Sequence, residues 1–298
     1  MRQLVMIHGR SQQRKDSVAL KAEWLEALNE GLAKSGLTLP IPEPDVRFPY
    51  YGDTLFDLVD GGVADPAAVV VRGEGDDDEK RFIKAVLEEV KQERLEAGQF
   101  EQAAGAAVVQ RGPANWGWVQ GILQAVDRFV PHGSGLGIAL ATRDVYKYLK
   151  NDGIRAEIDN GVAQALSADR EAVVVSHSLG TVVAYHVLMS QGRANGWKVP
   201  QFITLGSPLA VTKIRDTVRA LDGPLRCPPV AGAWFNAMDD RDVVALYPLD
   251  TTSFPIDPTR PEIVNKIDVK NRTENRHGIA GYLDDAEVAK RIHDALIA

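Results

Sequence analysis

Cysteine is scarce in this sequence and long apolar runs are missing, and each absence limits what the protein can be. Cys227 is the single cysteine among 298 residues, which excludes an intrachain disulfide and favours a reducing compartment. No segment approaches the ~18 consecutive apolar residues that a membrane-spanning helix requires. The first apolar run, at residues 4–7, is too short for the hydrophobic part of a secretory signal. We therefore expect a cytoplasmic protein with no signal peptide and no transmembrane segment.

Basic residues are outnumbered by acidic ones. The chain has 34 Lys and Arg against 41 Asp and Glu, which is a formal net charge of −7 at pH 7. A nucleic-acid-binding protein presents a basic face, so this balance argues against a nucleic-acid partner. An acidic chain gains no attraction from anionic lipids either, so any transient contact with a membrane surface would depend on exposed apolar side chains.

Strand-like and helix-like segments alternate along most of the chain. The predicted strands are residues 4–7, 46–48, 173–175, 202–205, 232–236 and 263–269. The predicted helices are residues 17–33, 142–149, 155–166, 181–189 and 285–296. This alternation is typical of an α/β fold with a mainly parallel sheet and helices on both faces. We predict a single domain over residues 1–298 with about six strands.

Residues 53–140 interrupt the alternation and are predicted to form a helical insertion. It contains an acidic loop at 73–79, a charged helix at 80–97, and an apolar segment with Trp116 and Trp118 that glycines near 133–137 are expected to end. Two interpretations stay open: a helical subdomain packed on the sheet, or a cap that shapes an apolar acyl pocket. In the second, Trp116 and Trp118 are candidate substrate-binding residues. The acidic loop is expected to be a solvated surface, with metal binding as the alternative.

The most informative motif is Ser176-His-Ser-Leu-Gly180, which lies between a valine strand and a helix. A serine on a tight strand-to-helix turn is the nucleophile elbow, whose usual pattern is G-x-S-x-G. The flanking residues are small because the strand and helix backbones approach each other closely there. Ser178 is therefore the predicted nucleophile. Ser176 stands where the pattern has glycine, which predicts a tighter turn.

A serine nucleophile needs a histidine base, a carboxylate that orients the histidine, and N–H donors for the oxyanion. In hydrolases with this elbow the chain order is Ser, then Asp or Glu, then His. Asp239, Asp240 and Asp242 crowd the loop after the fifth predicted strand, and Asp242 is favoured because Val243 and Val244 follow it. Asp239 is the alternative acid, and without the elbow all three would be interpreted as turn residues of a solvated loop.

His277 follows the last predicted strand, where the base is expected. Its position after Ser178 and Asp242 favours it over the other histidines, which are His8, His132, His177, His186 and His293. The oxyanion hole is predicted to combine the N–H of Leu179 with the N–H of Arg10, in the loop after the first strand. Two roles are open for the Arg10 side chain: binding an anionic group of the substrate, or pairing with a nearby carboxylate.

Together these residues resemble the α/β-hydrolase serine esterases and lipases, most closely the branch of the GPI inositol-deacylase and the lecithin–cholesterol acyltransferases. The resembling segments are residues 7–9, 175–180, 204–208, 234–236, 242–244 and His277. The resemblance implies hydrolysis of a small-molecule or lipid carboxylic ester through an acyl-enzyme, with Ser178, Asp242 and His277 as the triad and no metal or organic cofactor. Other acyl transfer (thioesterase, amidase or acyltransferase) and a non-catalytic binding module remain the alternatives.

Overall fold

A computed structural model describes residues 2–9, 16–52, 70–259 and 261–298 of the chain. Within these ranges a six-stranded sheet has the order β2-β1-β3-β4-β5-β6, and every neighbouring pair is parallel. The strands are β1 (Gln3–Ile7), β2 (Val46–Arg47), β3 (Ala172–His177), β4 (Val199–Leu205), β5 (Ala231–Ala237) and β6 (Ile263–Lys266). The predicted α/β class and parallel sheet are confirmed.

The central strands are apolar on both sides because helices cover both faces of the sheet. Side chains alternate along each strand. In β3, Val173 and Val175 pack with Leu4 in one hydrophobic cluster, whereas Val174 packs with Val5 in the other. All five side chains are fully buried.

The helices divide between the two faces. The first face is covered by α1 (Ser17–Ala33), α10 (Ala280–Leu283) and α11 (Ala286–Ile297). The second face is covered by α6 (Gly135–Lys150), α7 (Asp152–Ala163), α8 (Leu179–Ser190) and α9 (Thr212–Asp222). A short 3₁₀ helix, Glu43–Asp45, precedes β2. In the described residues, no helix is both long enough and apolar enough to cross a bilayer.

The described part of the predicted insertion is helical. It contains α2 (Asp77–Arg94), α3 (Gln99–Ala104), α4 (Ala106–Arg111) and α5 (Trp116–Phe129). Their apolar side chains join the hydrophobic cluster of the second face of the sheet. The predicted end of the insertion, at residue 140, lies inside α6. Gly135 and Gly137, which were expected to break the chain, instead lie in the first turn of this helix, because Ser134 caps it by accepting a hydrogen bond from the Gly137 N–H.

The prediction of a solvated acidic loop at 73–79 is wrong for Glu79. This residue belongs to the first turn of α2 and is 2% exposed. Its Oε1 lies 2.9 Å from Arg143 Nε, and its Oε2 lies 2.6 Å from Lys147 Nζ. Both partners are on α6, so these two ion pairs connect the start of α2 to α6 and compensate the buried negative charge of Glu79.

Candidate active site

The predicted nucleophile sits on a strained turn between β3 and α8. Ser178 has φ 55° and ψ −130°, a conformation that few residues other than glycine adopt. A Cβ at Gly180 would lie 2.4 Å from the carbonyl oxygen of Ile7 and 2.5 Å from that of His8. Glycine at this position therefore allows the start of α8 to approach the end of β1. The strand–turn–helix context predicted for Ser178 is present.

Ser176 fits the turn although it replaces the usual glycine. Its side chain is fully buried, and its hydroxyl donates a hydrogen bond to the carbonyl oxygen of Ile203 on β4, at 3.0 Å. A buried hydroxyl without a partner would be costly, and this bond removes that cost.

Three predicted residues from distant parts of the chain meet at the carboxyl end of the sheet. Ser178 follows β3, Asp242 follows β5, and His277 follows β6. His277 Nε2 lies 2.8 Å from Ser178 Oγ, and His277 Nδ1 lies 2.7 Å from Asp242 Oδ2. These are the contacts of a nucleophile, a base and an orienting acid.

The Asp242 carboxylate is fully buried but saturated with hydrogen-bond donors. Its Oδ1 accepts from the backbone N–H groups of Val244 at 2.8 Å and Ala245 at 3.3 Å, and its Oδ2 accepts from Tyr282 Oη at 2.7 Å as well as from His277. Burial opposes ionisation, but the donors, His277 foremost, hold the pKa of Asp242 below its ordinary value. Asp242 is therefore present as a carboxylate that can stabilise an imidazolium.

Asp239, the alternative acid, is also buried but has other partners. Its oxygens accept from the Arg241 guanidinium, from the Arg241 N–H at 2.9 Å, and from the Asn271 N–H at 2.8 Å. These contacts join the loop after β5 to the loop that carries His277. Asp239 thus connects the loop after β5 to the loop of His277, whereas Asp242 makes the contact with the His277 ring.

Two further histidines lie near the site and are neutral. The Nδ1 of His8 donates to the Gly9 carbonyl oxygen at 2.7 Å and its Nε2 accepts from the Tyr51 N–H, while burial lowers the pKa of His8 to about 4. Burial likewise lowers the pKa of His177 to about 3. His177 Nε2 donates to the carbonyl oxygen of His277 at 2.7 Å, which links the elbow directly to the loop of the base. The sequence contained no signal for this link.

The structure describes one of the two predicted oxyanion donors. Leu179 is the first residue of α8, and the first N–H groups of a helix have no carbonyl partner within it. Gly9 lies against the nucleophile, because a Cβ there would be 2.7 Å from Ser178 Cβ. The chain after β1 therefore passes next to Ser178. Arg10 lies outside the described residues, so its roles stay predictions.

Two cavities are lined in part by Ser178. The first, which we call the apolar slot, has a volume of ≈ 20 Å³. It is lined by Val86, Val90, Ile138, Ala141, Thr142, Val145, Ser178, Leu179, Pro208, Val211, Ile214, Val243, Val244 and Leu246. The second, the open cleft, has a volume of ≈ 360 Å³ and is bordered by His277 and by the polar side chains of Ser134, Thr273 and Asn275. Residues of the predicted insertion thus form one wall of the slot.

Trp116 and Trp118, the predicted substrate-binding residues, do not line either cavity. Trp116 Nε1 donates to the Val70 carbonyl oxygen at 3.1 Å. Trp118 Nε1 donates to the Glu88 carboxylate, and its ring packs on Phe100 with the ring centroids 4.3 Å apart. Trp118 therefore joins α5 to α2 and α3, and Trp116 joins α5 to the chain at Val70. Valines of α2 contribute the wall of the slot instead.

Three residues near Asp242 or its loop had no predicted role in the site. Tyr282 donates to Asp242 Oδ2 at 2.7 Å. Gly206, with φ 55°, lies beneath the triad, since a Cβ there would be 3.3 Å from both Asp242 Oδ2 and His277 Cε1. Arg94, at the end of α2, donates to the Asp242 carbonyl oxygen at 2.9 Å. Only Gly206 carried a sequence signal, because it follows a predicted strand directly.

Comparison of the chain with protein-family models, with curated proteins and with solved structures found no match in any of the three.

Proposed function

We propose that this protein is a serine hydrolase of the α/β-hydrolase fold that cleaves carboxylic esters through an acyl-enzyme. The observation that carries the proposal is the continuous hydrogen-bonded series from Ser178 Oγ through His277 to Asp242. Each member has the partner that its role requires, and the series opens on two cavities in which an ester could lie. A serine held at positive φ only to pack a core would need no such partners.

Acylation follows from the geometry of the three residues. His277 Nε2 accepts the proton of Ser178 Oγ as this oxygen attacks the ester carbonyl carbon, and Asp242 stabilises the resulting imidazolium. The Leu179 N–H, together with the donor predicted at Arg10, binds the oxyanion of the tetrahedral intermediate. His277 then protonates the leaving alcohol, and the acyl group stays on Ser178.

Deacylation uses the same residues with water as the nucleophile. His277 takes a proton from a water molecule that enters from the open cleft, and the hydroxide attacks the acyl carbon. Collapse of the second tetrahedral intermediate returns the proton to Ser178 Oγ and releases the acid. None of these steps needs a metal or an organic cofactor.

The two cavities suggest how the substrate lies. The apolar slot suits the acyl chain, and its ≈ 20 Å³ is about the space of one water molecule, so a short acyl chain fits best. The open cleft suits the alcohol. The described part of its lining includes the polar side chains of Ser134, Thr273 and Asn275, which can form hydrogen bonds to an uncharged alcohol.

Covalent labelling tests the enzymatic proposal. A fluorophosphonate probe should modify the folded protein at Ser178, and mass spectrometry of the digested adduct locates the modified residue. Ser178→Ala should abolish labelling. Ser190→Ala, at the other end of α8, should label like the wild type. Absence of an adduct on Ser178 in the folded wild-type protein would overturn the proposal and leave the non-catalytic binding module.

A substrate panel distinguishes ester hydrolysis from other acyl transfer. We expect turnover of p-nitrophenyl esters, highest for the short acyl chains from acetyl to butyryl and falling towards palmitoyl. Acyl-CoA and amide substrates should be much slower. If an acyl-CoA or an amide is turned over faster than every ester, the ester-hydrolase proposal is wrong. The protein would then be a thioesterase or an amidase with the same triad.

A further inference from the structure

Tyr282 lies directly behind the triad acid. It belongs to α10, its side chain is fully buried, and its Oη lies 2.7 Å from Asp242 Oδ2. This is the same carboxylate oxygen that accepts from His277 Nδ1 at 2.7 Å. The phenol and the imidazole therefore share one acceptor atom.

The direction of the phenol hydrogen bond is determined by a second contact. The backbone N–H of Asp239 donates to Tyr282 Oη at 3.3 Å. Because a hydroxyl carries one hydrogen, accepting from Asp239 leaves that hydrogen to point at Asp242. Burial and the neighbouring carboxylate raise the pKa of Tyr282 well above its ordinary value, so the phenol keeps its proton.

The tyrosine ring is also held in place. A Cβ at Gly206 would lie 3.0 Å from Tyr282 Cε2, so the backbone after β4 presses against the ring edge. On another side the ring faces His177, with the ring centroids 5.9 Å apart. A phenol confined in this way holds its hydroxyl in one position relative to the carboxylate.

We propose that Tyr282 is a positioning residue for the reaction, which holds the Asp242 carboxylate in the orientation that His277 requires and weakens the basicity of the shared oxygen. This inference rests on the proposed function. Without the phenol hydroxyl, Asp242 Oδ2 would accept a hydrogen bond from His277 alone, and its negative charge would act more strongly on the imidazole. The imidazolium would then be favoured, and more of His277 would be protonated, and so inactive as a base, at neutral pH.

The variant Tyr282→Phe tests the inference because it keeps the ring and removes only the hydroxyl. We expect kcat/KM for p-nitrophenyl acetate to fall about 10-fold at neutral pH, the loss expected for a hydrogen bond to a charged group. The acidic limb of the profile of kcat/KM against pH should move to higher pH. NMR of the ring protons should show the same movement in the pH midpoint at which His277 takes up its proton.

Tyr148→Phe is the matched control. Tyr148 is also buried and donates its phenol hydrogen to a carboxylate, Asp159 Oδ1 at 2.6 Å, outside the site. Both variants lose one buried phenol–carboxylate hydrogen bond, so both are expected to lower the urea midpoint of unfolding. The pH profile of Tyr148→Phe should superimpose on that of the wild type.

The readouts separate failure of this inference from failure of the proposed function. If the wild-type protein neither reacts with the fluorophosphonate nor hydrolyses any ester, the proposed function falls, while the His277 titration can still be compared between variants. If the wild type is active but Tyr282→Phe leaves both kcat/KM and its pH profile unchanged, the positioning role is refuted. A loss of rate with an unchanged pH profile and His277 titration would also refute it, since a purely structural role predicts that result.

Discussion

Replacing Asp242 by asparagine tests which of two buried aspartates orients His277. Four donors converge on the Asp242 carboxylate: two backbone N–H groups at Oδ1, and His277 and Tyr282 at Oδ2. Asparagine has only one side-chain oxygen. If that oxygen keeps its hydrogen bonds from the two backbone N–H groups, the amide NH₂ takes the place of Oδ2. It then faces His277 and Tyr282, which both donate to Oδ2 in the wild-type protein.

The side chain of His277 must then change its tautomer. Its Nδ1 becomes an acceptor from the asparagine NH₂, so the ring proton moves to Nε2, which can no longer accept the proton of Ser178. Such an inversion lowers kcat by about 10⁴-fold in a Ser-His-Asp triad, which corresponds to about 5 kcal/mol of transition-state stabilisation. The fold should be retained, because asparagine has nearly the same shape as aspartate.

Asp239→Asn is the matched control, since it makes the same chemical change three residues away. Asp239 contacts Arg241 and Asn271, and its carboxylate makes no hydrogen bond to His277 among the described contacts. We expect kcat within a few-fold of the wild-type value and a loss of about 1–3 kcal/mol in the free energy of unfolding. Steady-state hydrolysis of p-nitrophenyl acetate and urea unfolding measure the two quantities. A severe loss of kcat in Asp239→Asn with a mild one in Asp242→Asn would refute the assignment of the acid.

Two further predictions concern stability and chain length. Burial lowers the pKa of His186, but the carboxylates of Asp159 and Asp222 outweigh it and raise the pKa to about 9. Because this pKa lies above the ordinary 6.5, protonated His186 should add about 3 kcal/mol to the free energy of unfolding below pH 6.5, and this contribution should be lost as the pH rises through 9. Urea unfolding across this pH range should show the loss in the wild type but not in His186→Gln. Val90→Ala should widen the apolar slot and raise the ratio of kcat/KM for hexanoyl esters to that for acetyl esters by about 3- to 10-fold. Val119 is buried but does not line the slot, so Val119→Ala should leave this ratio unchanged. The same ratio in both variants would contradict the placement of the acyl chain in the slot.

The sequence by itself determined the α/β class, the parallel sheet and the residues worth testing in the site. These properties are local. Apolar strands alternate with amphipathic helices, and Ser178, Asp242 and His277 each follow a predicted strand. Since the carboxyl ends of parallel strands lie at one edge of a sheet, residues that follow them are expected near one another.

Tertiary packing decided the rest. Asp239 and Asp242 are three residues apart in one loop, but in the folded protein Asp239 pairs with Arg241 and Asn271, whereas Asp242 pairs with His277. Tyr282 reaches the triad acid through the placement of α10, which no local pattern encodes. Trp118 likewise looked suited to a substrate pocket but packs between helices of the insertion. Local patterns specify which face of an element is apolar, whereas the partner of a particular side chain depends on how distant elements pack together.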